Sequence, residues 1–325
     1  MRRSGLSFSL VLVSLALSAC GAGVMSPASS GSGPIEAQRS AQGARTVQTE
    51  IGPITLGLLP KSSQARASAV EPTYEASEGL TGLSIMGQTL PPAVDLRPFC
   101  TPVRNQGNLG SCSAFAMTGI MEAMMNVQGR GAELRKIGHL SPLFFYYAER
   151  KRMEAAGTIP QATKKDTGAY LETAAASAVK DGAPPEATVP YLDGRPALAY
   201  HASDADYQAA APYRSGKASR ATTIQGLKTA LMKKHPILIG IPVYPSFMTR
   251  TVARTGEMPM PFRGEEPAGG HAVAMVGYDD AKEAFLVRNS WGTDWAQKGY
   301  FWMPYAFFKP THAGYYNYLS CYVLD

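Results

Sequence analysis

Three residues far apart in the chain have side chains of types that can act together in nucleophilic catalysis: the thiol of Cys112, the imidazole of His271 and the amide of Asn289. A free thiol has a pKa of about 8.5 and is mostly protonated at neutral pH, so it needs a base to become a nucleophile. An imidazole takes up that proton and later donates it to a leaving amine, while an amide oxygen orients the ring. This order of residue types predicts attack by a thiolate on an amide carbonyl.

Such an attack creates a negatively charged oxygen that needs hydrogen-bond donors. The backbone N–H of Cys112 and the side-chain amide of Gln106 are the candidate pair, and one such donor typically contributes ~2.7 to 4 kcal/mol to transition-state stabilisation. Gln106 has an alternative role as an amide that caps a loop. Its position six residues before the thiol, ahead of a glycine-rich turn, favours the oxyanion role.

The residues from Cys112 to Val127 are predicted to form a helix that starts at the thiol. Apolar residues recur there at helical spacing and Gly129 supplies a stop; they are Phe115, Met117, Ile120, Met121, Met124 and Met125. The positive end of this helix is expected to lower the pKa of the thiol. Further helices are predicted over 143–153 and 171–180, so the part from about 100 to 220 is mainly helical.

From about residue 221 to 325 the pattern changes to mainly β. After one short helix over 223–233, apolar runs rich in β-branched or aromatic residues predict strands at 237–243, 271–278, 284–290 and 299–303. A hairpin centred on Asp280 would place His271 directly opposite Asn289. A helical part carrying the thiol and a β part carrying the His and Asn predict a cleft between them.

The chain resembles the papain-like cysteine peptidases, in particular a bacterial branch with a short Val-Asp-Leu-Arg entry to the catalytic domain. The matching stretches are 93–97, 102–107, 110–112, 269–272, 276–279, 288–292 and 299–300. The resemblance implies a peptidase domain over 91–325 with a two-lobed α+β fold, in which a helical lobe with the cysteine helix packs against an antiparallel, β-barrel-like lobe. It implies the roles argued above for Cys112, His271, Asn289 and Gln106, and a peptide or protein substrate.

Some positions carry weaker or divergent signals. Gly168 maps loosely onto a glycine-containing wall that binds substrate backbone in the family. Trp291 is predicted to support the site, since an indole beside the Asn shields the His–Asn hydrogen bond from water. Ser113 stands where the family usually has an aromatic residue, and Leu109 replaces the cysteine of a usual nearby disulfide. Specificity therefore cannot be transferred from papain.

The N-terminus is interpreted as an export signal over 1–19, with Arg2 and Arg3 ahead of a short apolar stretch. The run Leu17-Ser18-Ala19-Cys20 resembles a bacterial lipobox, in which Cys20 carries lipid and tethers the chain to the cell envelope. An ordinary secretory signal is the alternative. Residues 20–50 are expected to be a flexible spacer, and residues 51–90 either a short propeptide in the cleft or a linker.

Export allows disulfides, because the destination is oxidising. With Cys20 lipidated and Cys112 reactive, Cys100 and Cys321 remain as a candidate disulfide, or as two buried free thiols. The formal charge of +6 includes two signal arginines, and the remaining Lys and Arg form no basic stripe. We therefore expect no nucleic-acid partner. We also expect no metal, no cofactor and a monomer.

Two other functions remain open at this point. One is a catalytically silent lipoprotein that binds peptides or an envelope partner through the same cleft. The other is a related acyl transferase or amidase that uses the same residues on a different substrate.

Overall fold

The computed structural model describes residues 43–61, 90–221, 223–308 and 320–324, all within one compact unit. The predicted signal peptide, Cys20, and most of the segments assigned to the spacer and to residues 51–90 lie outside these ranges. Among the described residues, none of the helices is long and apolar enough to cross a membrane.

Helices dominate the first part of the domain, as predicted. They are α1 (Cys112–Val127), α2 (Gly131–Ile137), α3 (Pro142–Ala155), α4 (Leu171–Lys180) and α5 (Asp204–Ala210). Two short helices, α6 (Ile224–Met232) and α7 (Arg250–Thr255), lie in the second, mainly β part. The helix predicted at the thiol is confirmed, with the same bounds. Its residues from Cys112 to Met125 are all buried, because α1 packs against α3 and α4 on one side and the sheet on the other.

The start of α3 shows why these helices begin where they do. Ser141 has an extended backbone, and its hydroxyl accepts the N–H of Phe144 at 3.2 Å. Pro142 occupies the first helical position, where its missing N–H costs nothing. This cap places Tyr146 and Arg150, one turn apart, against the loop that leads into α4.

The strands are β1 (Arg45–Thr49), β2 (Gly52–Leu56), β3 (Ala93–Asp95), β4 (Ala218–Arg220), β5 (Ile237–Val243), β6 (Gly269–Asp279), β7 (Ala284–Arg288), β8 (Tyr300–Pro304) and β9 (Ser320–Leu324). Seven of them form one antiparallel sheet in the order β4-β9-β5-β6-β7-β8, with β3 also paired to β6. The continuous apolar run of β5 is explained by its position, since every residue is buried between β9 and β6. The helical part and the antiparallel sheet confirm the α+β, two-part architecture.

The strands β1 and β2 form a separate hairpin, and its first strand lies in the predicted spacer. Residues 43–50 were expected to be part of this flexible spacer, ahead of the peptidase domain over 91–325. Instead, residues 43–61, here called the cover segment, pack on the peptidase domain. The hairpin was missed because each strand is only five residues long, which is too short for periodicity to stand out.

Candidate active site

Cys112 is the first residue of α1 and its side chain is fully buried. The Sγ atom accepts a hydrogen bond from the backbone N–H of Ala272 on β6 at 3.4 Å. The thiol from the helical part therefore lies against the strand that carries His271, although 160 positions separate the two bonded residues.

His271 and Asn289 form the predicted hydrogen bond, 2.8 Å between Nε2 and Oδ1. The amide oxygen also accepts the N–H of Ser290 at 2.8 Å, which identifies it as the acceptor and places the ring proton on Nε2. Among the described residues, Nδ1 of the buried imidazole has no hydrogen-bond partner. Nδ1 is thus the nitrogen left to take a proton from Cys112.

The predicted register of this strand pair is wrong, although the contact is real. The β6–β7 ladder ends at the pair Ala274 and Arg288, after an irregularity between Met275 and Gly277. Asn289 is the next residue beyond that end, so it lies diagonally from His271 on the same face. Cross-strand diagonal neighbours are within reach of longer side chains, which explains why the hydrogen bond forms without direct pairing.

Trp291 lies where the sequence places a supporting residue. Its ring stacks on the His271 imidazole, with 5.0 Å between centroids and 23° between planes. The indole covers one face of the imidazole, while Phe247 and Trp295 pack against the indole from behind. This apolar shell keeps water from the His–Asn hydrogen bond.

Gln106 is held by a residue that the sequence analysis missed. The hydroxyl of Ser290 donates to Gln106 Oε1 at 2.7 Å, and the Gln106 N–H donates to the Ser290 carbonyl at 2.9 Å. These bonds leave the Nε2 donors of Gln106 pointing toward the carbonyls of Thr55 and Leu109, at 3.1 and 3.0 Å. The adjacency of Ser290 to Asn289 was the one signal available for its role.

A second missed group holds the loop that precedes the thiol. The hydroxyl of Tyr191 donates to the Gln106 carbonyl at 2.6 Å and lies 3.0 Å from the Ser111 hydroxyl. Asp193 accepts the Asn108 N–H at 2.7 Å. No spacing in the sequence points to Tyr191 or Asp193, because they approach the loop only through the fold.

Residues 55–59 of the cover segment contact Gln106 and the backbone on both sides of the site. Leu58 donates its N–H to the Gly270 carbonyl at 3.1 Å, and Leu59 donates to the Ala169 carbonyl at 2.9 Å. The Ala169 N–H donates to the Gly57 carbonyl at 2.9 Å. The cover segment thus runs as an extended chain between the β6 edge and residues 168–169.

Gly168, the predicted substrate contact, lies beside this extended chain without making its hydrogen bonds. Its φ is +69°, and a Cβ there would meet the Gly57 carbonyl oxygen at 2.0 Å. The neighbouring Ala169 supplies both backbone hydrogen bonds. The cover segment therefore pairs with the residue after Gly168, and the role of Gly168 in binding substrate stays a prediction.

Burial shifts the pKa values of Cys112 and His271. Desolvation raises the pKa of the Cys112 thiol to about 11, despite the helix start, and lowers the pKa of His271 to about 4. Both groups are therefore neutral at pH 7 in this covered arrangement. The expected lowering of the thiol pKa by the helix does not outweigh the loss of water.

Ser113, the unusual residue after the thiol, has a buried acidic partner. Its hydroxyl donates to Glu149 Oε2 at 3.0 Å, and both side chains are fully buried. Burial raises the pKa of Glu149 to about 8. An aromatic residue in place of Ser113 would leave this carboxyl without the bond.

The candidate disulfide between Cys100 and Cys321 is wrong for this structure, where both thiols are free. The Cys100 thiol donates to the Leu96 carbonyl at 3.4 Å, whereas Cys321 lies on β9, paired with Ile239 of β5. A bridge needs Cα atoms within roughly 7 Å, which sequence cannot test. Among the described residues, no group of three or more His, Cys, Asp or Glu side chains is arranged to hold a metal ion.

Comparison with known proteins agrees with this geometry. An uncharacterized peptidase C1-like protein of Acanthamoeba polyphaga mimivirus is 34% identical over 212 residues, which cover 62% of this chain and 64% of that protein. Cathepsin S of Bos taurus is 29% identical over 242 residues, 72% of this chain and 65% of that protein. The chain thus aligns with slightly under two thirds of the length of these relatives.

Solved structures show the same fold. Xylellain, a cysteine protease from Xylella fastidiosa, superposes with a TM-score of 0.63 and 30% identity, over 83% of this chain and 95% of xylellain. Digestive procathepsin L 3 of Tenebrio molitor shares the fold at 18% identity and a TM-score of 0.52, over 73% of this chain and 71% of that protein. The sequence pattern of the papain family cysteine proteases matches residues 90–312. With that match over more than half of its length, the chain belongs to the papain family of cysteine proteases.

Proposed function

We propose that this protein is a cysteine peptidase that hydrolyses peptide bonds through an acyl-enzyme on Cys112. The observation that carries the proposal is the meeting of four groups from distant parts of the chain. The thiol lies against β6, the imidazole is oriented by Asn289 with Nδ1 unbonded within the described part of the chain, and Gln106 presents amide donors.

The chemistry follows from these positions. His271 Nδ1 takes the thiol proton as the sulfur attacks the substrate carbonyl, and the new oxyanion accepts hydrogen bonds from Gln106 Nε2 and the Cys112 N–H. The imidazolium then protonates the leaving amine. Water, deprotonated by the same imidazole, hydrolyses the thioester and restores the thiol.

The test compares the full chain with Cys112→Ala and with a matched control, Cys100→Ala, which removes a free thiol outside the site. Each protein is incubated with unstructured proteins and peptide libraries, and the products are identified by mass spectrometry. We expect cleavage by wild type and the control, and none by Cys112→Ala. Equal cleavage by Cys112→Ala would refute the proposal, and labelling of Cys112 without turnover would favour a silent binding protein.

We also propose that the cover segment inhibits this activity as a short propeptide. It fills the position that a substrate backbone would take, and the Thr55 carbonyl occupies the Gln106 amide that an oxyanion needs. Cys112 and His271 are fully buried beneath it and uncharged. A peptide substrate therefore has to displace residues 55–59 before chemistry starts.

We further propose that the chain is an exported lipoprotein, held at a bacterial cell envelope through lipid on Cys20, and that it acts as a monomer. The support is the positively charged start, the short apolar stretch and the Leu17-Ser18-Ala19-Cys20 run. Expression of Cys20→Ser in a bacterial host tests the tether. The expected result is loss of labelled fatty acid and release from the membrane fraction, and retention of both would contradict it.

A further inference from the structure

The loop from Thr163 to Ala169, here called the wall, binds extended backbone. Ala169 exchanges two hydrogen bonds with the cover segment, both of 2.9 Å. The Ala44 N–H also donates to the Asp166 carbonyl at 3.1 Å. The position of the wall relative to Cys112 therefore sets how a peptide is presented to the thiol.

A single hydroxyl from α3 links two points of this wall. The Tyr146 hydroxyl donates to Asp166 Oδ1 at 2.5 Å and accepts the Gly168 N–H at 2.9 Å. The Asp166 carboxylate in turn accepts the Gly110 N–H, with both oxygens at 3.1 Å. Gly110 lies two residues before Cys112, so this network joins the wall to the nucleophile loop.

Arg150, one helical turn after Tyr146, holds the start of the wall. Its Nη1 donates to the carbonyls of Thr163 and Lys165 at 3.1 and 3.0 Å, and its Nε donates to the Tyr146 carbonyl at 3.2 Å. The guanidinium lies 4.2 Å from the centroid of the Tyr146 ring. Arg150 is fully buried, and a buried charge is retained only where hydrogen bonds compensate its lost hydration.

We propose that Tyr146, Arg150 and Asp166 are positioning residues that fix the wall in the geometry in which it binds substrate backbone. Leu109 stands where the papain-like pattern has a disulfide cysteine, and the neighbouring Gly110 is joined to the wall by hydrogen bonds to the Asp166 carboxylate. The three side chains reach the substrate only through the backbone of the wall. This inference rests on the proposed peptidase function, because it concerns how the same cleft presents a peptide.

The test uses the full chain and two reagents that alkylate Cys112. Iodoacetamide is too small to use the wall, whereas a tripeptidyl chloromethyl ketone must pair with it. Both reagents need the cover segment to lift, so the ratio of their rate constants cancels that equilibrium. The variants are Tyr146→Phe and Asp166→Asn, and the matched control is Tyr147→Phe, a buried neighbour whose ring contacts Tyr200 and His201 instead.

We expect Tyr146→Phe to lower the ratio of peptidyl to iodoacetamide labelling about tenfold, since the hydroxyl makes two of the hydrogen bonds. Asp166→Asn should act in the same direction, and Tyr147→Phe should stay within about twofold of wild type. For cleaved peptides, the expected change is a higher KM with kcat retained. An unchanged ratio in both Tyr146→Phe and Asp166→Asn, or equal slowing of both reagents, would overturn the proposal. If wild type turns over no peptide but the labelling ratios change as expected, the proposed peptidase function is refuted and the positioning role is supported.

Discussion

The cover segment passes the nucleophile loop at Gly57 with no space for a side chain. A Cβ at this position would lie 2.0 Å from the Gly110 carbonyl oxygen and 2.3 Å from its carbon, whereas real Cβ atoms stay beyond 3.0 Å. Both contacting atoms belong to backbone, so neither can rotate away. We predict that Gly57→Ala forces the cover segment off the site and activates the full-length protein.

The size of the effect follows from the neighbouring hydrogen bonds. Relieving the contact requires a shift of about 1 Å, from 2.0 Å to 3.0 Å. Such a shift stretches the three bonds made by Leu58, Leu59 and the Gly57 carbonyl, now 3.1, 2.9 and 2.9 Å long. At a net contribution of ~1 kcal/mol each, their loss costs about 3 kcal/mol, or roughly 100-fold in the ratio of covered to open protein.

The assay is the rate at which iodoacetamide labels Cys112 in the full chain at pH 7, read by mass spectrometry. Gly57→Ala should label roughly 100-fold faster than wild type if labelling proceeds from the open form. The matched control is Gln48→Ala, which shortens an exposed side chain on β1 of the same segment. Equal rates for wild type and Gly57→Ala, or equal acceleration by Gln48→Ala, would refute the steric argument.

Three further predictions concern single groups. Ser290→Ala should lower kcat about tenfold with KM little changed, because the Gln106 amide loses the hydrogen bond from the Ser290 hydroxyl that orients it. Unchanged kcat in steady-state peptide hydrolysis would argue against that role. The covered form should lose stability as pH falls from 6.5 toward 4, because burial lowers the pKa of His271 to about 4 while an open, solvated imidazole is protonated near its ordinary pKa of about 6.5. Protection of Cys112 from iodoacetamide should therefore decrease over this range by up to about 3 kcal/mol. Glu149→Gln should raise the Tm at pH 8 but not at pH 4. The buried Glu149 carboxyl has its pKa raised to about 8, so it lowers the stability of the folded protein increasingly as pH rises above about 4.5. A constant difference from wild type across this range in thermal denaturation would contradict this.

Much of the fold was accessible from local pattern. The helix at Cys112 and the strand Ile237–Val243 match their predicted bounds, since long periodic or continuously apolar runs have few alternative structures. The β1–β2 hairpin was not accessible in this way. Its strands are short, and their burial depends on a cleft formed by residues that follow much later in the chain.

The register of β6 and β7 shows a second limit. Counting from a turn centred on Asp280 placed His271 opposite Asn289, but the last pair before the turn is Asp279 with Ala284, so the turn is centred between Ala281 and Lys282. The irregularity between Met275 and Gly277 removes one residue of this error, and the offset of two that remains at the site keeps both side chains on the same face. The His–Asn contact survives because diagonal neighbours on one face are still within hydrogen-bonding reach.

By itself the sequence determined which groups can do chemistry: a thiol at a helix start, an imidazole on a strand, an amide beside a glycine-rich turn and a second amide near the end of a strand. These groups could be identified because residue type and local spacing are properties of the sequence alone. The tertiary structure alone decided that Ser290 orients Gln106 across 184 positions, that the cover segment lies over the thiol, and that Tyr146 and Arg150 hold the wall. It also decided that Cys112 and His271 are uncharged when covered, because desolvation depends on what surrounds a group in space and not on its neighbours in the chain.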